Sequence, residues 1–197
     1  MHDVEEVKPG FIIVSGYSML QYVDVRNPLK PKVLAQTPNK NPNFIFHSGT
    51  WPRNATDRWV MMQGEQNAQT RCDPNQGPFQ TFDTTGWQKS GSFKLVDTYT
   101  VENGTYQDGG PPANGLGCSA HWFTEHETFK NGGLVAIGYY EHGTRFVDVA
   151  SNGKIKEVGW FVPWGGSTSA AYWASKDIVY AVDYTRGIDI LRYTGKF

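Results

Sequence analysis

The sequence predicts an all-β fold. Three features point to it: a strand pattern that recurs along the chain, a composition rich in turn formers and aromatic residues, and the lack of any sustained helical stripe. The chain holds 22 Gly and 11 Pro, which end strands and open turns, beside 11 Phe, 10 Tyr and 7 Trp, which favour pleated, half-buried surfaces. No segment repeats apolar residues at helical spacing, so helix content should be marginal. With 197 residues the chain can bury a real core, since a domain of this size hides roughly 70% of the surface exposed by its unfolded chain.

The repeat is read most directly in residues 10–37, GFIIVSGYSMLQYVDVRNPLKPKVLAQT. An apolar strand, a short turn, a second strand closing on Val-Asp-Val, a polar turn and a third strand follow one another. HDVEEV at 2–7 supplies a strand before them. A diverged copy starts with FIFHSGTWP at 44–52 and continues through RWVMMQGE, a long insertion around Cys72, PFQTFD and SFKLVDTYT. The third copy is SAHWFTEH at 119–126 followed by GLVAIGYYEHGTRFVDVASNGKIKEVGWF at 133–161. The last is STSAAYW at 167–173 followed by DIVYAVDYTRGIDILR at 177–192, with no clear outer strand. An Asp at the end of the second strand recurs as Asp24, Asp83, Asp148 and Asp189, and its simplest role is to cap nearby backbone N–H groups.

Four antiparallel strands per unit, at a shorter step of about 45 to 50 residues, are the signature of β-propeller blades. The blades are expected near 1–38, 43–100, 118–163 and 167–197, so that 1–197 is a single propeller or the C-terminal part of one. The segments YVDVRNPLKP, RFVDVASNGK and GIDILR resemble the LVIVD-repeat β-propeller proteins, found mainly as secreted and cell-surface bacterial chains. The resemblance spans nearly the whole chain and is strongest over 118–192. It implies an extracellular or cell-surface location. It also implies a ring of about seven blades. Four blades are then expected to be the C-terminal portion of a longer product, a half ring completed as a homodimer by a second copy, or a closed four-bladed propeller. The repeat is a fold-level signature and says little about chemistry.

Charge and motifs narrow the function classes. A net charge of −1 with no Lys/Arg stripe gives no footprint for nucleic acid. No apolar run reaches the length of a membrane span, and the opening MHDVEEVKPG lacks the basic and apolar regions of a signal peptide. Cys72 and Cys118 both sit in Gly/Pro/Asn-rich stretches within 65–80 and 101–118, where a disulfide could staple two long loops in an oxidising compartment. No nucleophile elbow, P-loop or dinucleotide fingerprint occurs. Asn54 and Asn103 match the glycosylation pattern.

Two constellations remain. In a propeller the innermost strands line a central channel, so residues distant in sequence converge there. His2, His47 and His121 lie in first strands and, with Glu65, could hold a divalent Zn, Mn, Fe or Cu ion if their ligand atoms reach about 2.0–2.2 Å from it. Carotenoid oxygenases and selenium-binding-type proteins resemble this in placing histidines from several blades around an axial metal. The competing reading is that these imidazoles bond backbone or water at blade junctions. Strand alternation separates His121 from His126, five residues on. Trp51, Trp122 and Trp173 recur in or beside first strands and could stack a sugar or another flat ligand, against the ordinary reading of blade packing. The sequence therefore favours an extracellular binding or scaffold module for a protein, peptide or glycan over catalysis. The alternative is a metal-dependent lyase or oxygenase with a channel-lining histidine cluster.

Overall fold

The computed structural model describes residues 1–38, 44–52, 59–65, 72, 77–101 and 116–197, with 59–65 described by backbone alone. Strands dominate. The first sheet comprises β1 (Asp3–Lys8), β2 (Phe11–Ser15), β3 (Leu20–Asp24) and β4 (Lys32–Gln36), and the second β5 (Ile45–Thr50), β6 (Trp59–Glu65), β7 (Phe79–Asp83) and β8 (Lys94–Tyr99). The third holds β9 (Phe123–Glu125), β10 (Gly133–Gly138), β11 (Thr144–Val149) and β12 (Ile155–Phe161), and the fourth β13 (Thr168–Trp173), β14 (Ile178–Asp183) and β15 (Gly187–Arg192). Within each sheet the strands pair antiparallel in sequence order, as propeller blades do. Among the described residues one short helix, α1 (Trp87–Ser90), which the sequence pattern does not mark, bridges β7 and β8 between Gly86 and Gly91, both left-handed.

Successive sheets pack face to face, and the sequence shows why. The apolar run of β10 sends Val135 and Ile137 into a core shared with Phe79 and Tyr99 of the second sheet. Leu134 and Ala136, on the opposite face, join Ala171 and Val179 of the fourth. A strand covered on both sides needs apolar residues at every position, so period-two alternation vanishes there. The outer β12 shows the reverse: Val158 and Trp160 stay exposed while Ile155 packs inward. The first and second sheets share Ile13, Tyr22, Phe46, Trp51 and Phe82. Each such side chain contributes about 1.5–3 kcal/mol on burial. The far face of the fourth sheet presents Tyr172, Tyr180, Ile188 and Ile190 to solvent.

A polar pillar crosses the apolar contact of the second and third sheets. Arg145 on β11 and Glu157 on β12 lie 3.6 Å apart with side chains 0% and 1% exposed, and Arg145 Nε donates to His142 O at 2.8 Å. The Tyr99 hydroxyl donates to the same Glu157 oxygen in a close contact, and burial first, then Tyr139 and Glu157, push the Tyr99 pKa up. A charge pair this deep is tolerated only when both members stay paired. The predicted disulfide is present: Cys72 and Cys118 are bonded, their Cα atoms 5.1 Å apart, and it joins the core shared by these two sheets.

The recurring aspartates behave as strand-end caps at two of the positions read from sequence. Asp24 accepts from Arg26 N at 3.0 Å and Asp83 from Thr85 N at 2.8 Å. The Arg26 side chain and backbone bonds hold the half-buried Asp24 carboxyl at about 2. In the last sheet Asp189 pairs with Arg186, and capping falls to Asp183. It accepts from the Ser167, Thr185 and Arg186 amides and from the Thr168 and Thr185 hydroxyls. Burial pushes this carboxyl up, but those bonds outweigh it and hold it below the usual carboxylate range.

Candidate functional site

The first strands of neighbouring sheets approach one another, β1 against β5 and β9 against β13. Trp122 N donates to Ser169 O at 3.1 Å, and Tyr140 and Thr168 exchange backbone bonds at 2.8 Å. A Cβ on Gly138 would lie 2.6 Å from Ala170 N, so only glycine lets β10 and β13 come this close. The convergence sets His2, His47 and His121 in an arc, with ring centroids 3.8 Å apart for the first pair and 4.0 Å for the second. Tyr140 continues it, 4.8 Å beyond His121. His2 Nδ1 bonds His47 O at 3.0 Å and His121 Nδ1 bonds Ser169 O at 2.6 Å. A carbonyl only accepts, so both Nδ1 atoms carry the proton, which leaves Nε2 as the ring nitrogen that changes role with protonation.

Three imidazoles thus meet across the sheets, but as an arc. Among the described residues, the group of three metal-capable side chains with ligand atoms all within 4.8 Å of one another is Cys72, Cys118 and His142, and the disulfide takes both sulfurs out of ligand use. Glu65 ends β6, where its backbone pairs with Ile45, and its side chain lies outside the described residues, as do Asn54 and Asn103. His126 takes no part in the arc: it bonds Thr128 Oγ1 and Lys176 O and packs on Trp173.

Beside the arc, β1, β5 and β9 enclose a cavity of about 350 Å³ lined by Asp3, Glu5, Ser48, Thr50, Trp122 and Glu125, with Trp51 at its wall. Trp122 stands edge-on to the His47 and His121 rings, at 5.2 and 5.9 Å. Trp51 is 9% exposed and its ring packs on Tyr22 and Phe93. Trp173 turns away to Phe146 and Tyr193, between the third and fourth sheets. So the three tryptophans do not form one platform, and two of them reach one cavity. The sequence reading missed Asp3, Glu5, Ser48 and Thr50. A signal existed: three residues after His2, His47 and His121 stand Glu5, Thr50 and Thr124, all in the cavity wall.

Sheets of this order, packed in this way, define a β-propeller fold, and solved structures agree. The chain is similar to the β-propeller domain of Myceliophteria thermophila Cps50 (Swd1), at a TM-score of 0.64 and 11% identity over 98% of this chain and 54% of that one. It is also similar to Saccharomyces cerevisiae Sqt1, at a TM-score of 0.56 and 9% identity over 88% of this chain and 38% of that one. The chain spans about half or less of the length of these structures, and identities this low speak for the fold alone. No protein-family model matches the chain, and no curated protein does.

Proposed function

We propose that this chain is a binding module of the LVIVD-repeat type, a single propeller over 1–197 or the C-terminal part of one, working outside the cell and capturing a protein, peptide or glycan between its inner strands. The observation that carries the reading is the cavity shared by β1, β5 and β9, where Trp122 stands beside His47 and His121. Its volume of about 350 Å³ suits a side chain or a sugar ring. The Cys72–Cys118 bond is compatible with an exported protein. The test is a peptide and glycan array probed with the protein and with Trp122→Ala, the fold of each checked by circular dichroism. At least one ligand class should bind and weaken about tenfold in Trp122→Ala. Turnover of a small substrate by the wild-type protein, or no binding across the array, would count against the reading.

A metal-dependent lyase or oxygenase is the second reading. The bonds from Nδ1 to backbone carbonyls favour it, because a ring fixed that way presents Nε2 as metal ligands do. Elemental analysis of protein purified without chelator checks it. One equivalent of metal, lost in His47→Ala and in His121→Ala, would support it, and metal well below one equivalent would dismiss it.

A further inference from the structure

We infer that Cys72, Cys118 and His142 make a zinc site when their disulfide is reduced, so that the same stretches of chain are held either by a covalent bond or by a metal ion. The two sulfurs and an imidazole nitrogen of His142 all lie within 4.8 Å of one another, although the three residues are far apart in sequence. Cys118 is 3% and His142 1% exposed, which sets the group in the interior. Two thiolates with an imidazole are a soft donor set that selects Zn²⁺ over Mg²⁺ or Ca²⁺, and they leave the fourth tetrahedral position to water.

The surroundings hold the ligands ready. His142 lies in the turn between β10 and β11, where its N–H donates to Tyr139 O at 2.9 Å and its carbonyl accepts from the buried Arg145 at 2.8 Å. A second observation points to a cation here. Glu141, next to His142, is 1% exposed, and its Oε1 accepts from Leu116 N and Ser167 Oγ, both at 3.3 Å, which ties it to the stretch leading into Cys118. Its Oε2 is buried with no hydrogen-bond partner. A buried carboxylate oxygen left bare is costly, and a dication close by offsets its charge.

The two states exclude each other. A dithiol reductant gives two electrons to the Sγ–Sγ bond, which breaks, and is itself closed to a disulfide. Its two protons go to solvent, and the two protein thiolates bind one Zn²⁺, which changes no oxidation state. Sulfurs on one tetrahedral zinc stand about 3.8 Å apart, a separation that a change of cysteine rotamer supplies.

The experiment uses the full chain, oxidised or reduced with excess dithiol and freed of it by gel filtration under nitrogen, titrated with Co²⁺ and then Zn²⁺. Reduced protein should take up one equivalent of Co²⁺ with tetrahedral absorption and thiolate-to-cobalt charge transfer, and one equivalent of Zn²⁺ should displace it. Oxidised protein should show neither band, and Mg²⁺ should change nothing. His142→Gln should weaken zinc by at least about tenfold. His142→Cys, with a third thiolate at the same place, should keep the site and intensify the charge transfer. If reduction loosens the fold, one equivalent of zinc should restore the strand circular dichroism and raise the unfolding midpoint. Failure of zinc to do so, no charge transfer in reduced protein, or equal metal uptake in both redox states would overturn the inference. So would zinc affinity unmoved by His142→Gln; if that variant does not fold, charge transfer in His142→Cys no stronger than in wild type overturns it.

Discussion

The inner strand β5 and the outer strand β12 solve opposite problems with similar lengths of chain. Along β12 half-buried and exposed positions alternate, so one face packs and the other meets water, and Trp160 is 50% exposed. Along β5 the polar His47, Ser48 and Thr50 are all buried, at 3%, 4% and 6% exposure. Polar groups on a buried strand must find partners, and here they face a cavity and the edges of neighbouring sheets. The outer strands therefore tolerate what the inner strands cannot, and the proposed site lies where burial and polarity coincide.

The largest expected effect tests how far buried polarity holds the sheets together. Arg145→Ala leaves the Glu157 carboxylate buried without its cation and should cost about 3–5 kcal/mol in urea unfolding. Replacing Arg145 and Glu157 together with Met and Leu should recover most of that loss. Cys118→Ser opens a bridge between residues 46 apart, and chain entropy predicts a loss of about 4 kcal/mol, read as a lower unfolding midpoint. Asp183→Asn weakens the cap of the fourth sheet by about 1–3 kcal/mol at neutral pH. Because the folded carboxyl titrates below its ordinary value of 3.8, its contribution is present above that value and is lost as pH falls through the lower folded one. The variant should then lose less stability than wild type on acidification. At the small end, Trp160→Ser and Val158→Thr on the outer strand should shift stability by no more than about 0.5 kcal/mol.

Much of the fold was legible because sheet repeats write themselves into the sequence. Val-Asp-Val marks β3 and β11, the apolar run marks β10, and the turn-rich stretches mark where strands end. The histidine positions were legible too, since His47 and His121 head equivalent strands and do meet. What escaped depends on pairing between strands. A register shift between Phe46 and Gly49 re-aims β5, and nothing local in FIFHSGTWP announces it. The Arg145–Glu157 pair joins β11 to β12, and its burial follows from how the second sheet covers them, through Tyr99. Trp173 has the sequence position of a channel residue, yet it packs on Tyr193 because the fourth sheet turns that end of β13 toward the third. Helix α1 needed two left-handed glycines to open and close it, a device too short for periodicity to register.

The central claim is that ligand meets this propeller at its inner strands. Backbone hydrogen–deuterium exchange, with and without the tightest array ligand, tests it most directly. The account predicts added protection in β1, β5 and β9, with β4, β8 and β12 unchanged. Protection confined to those outer strands, with the inner three exchanging as in the free protein, would contradict it.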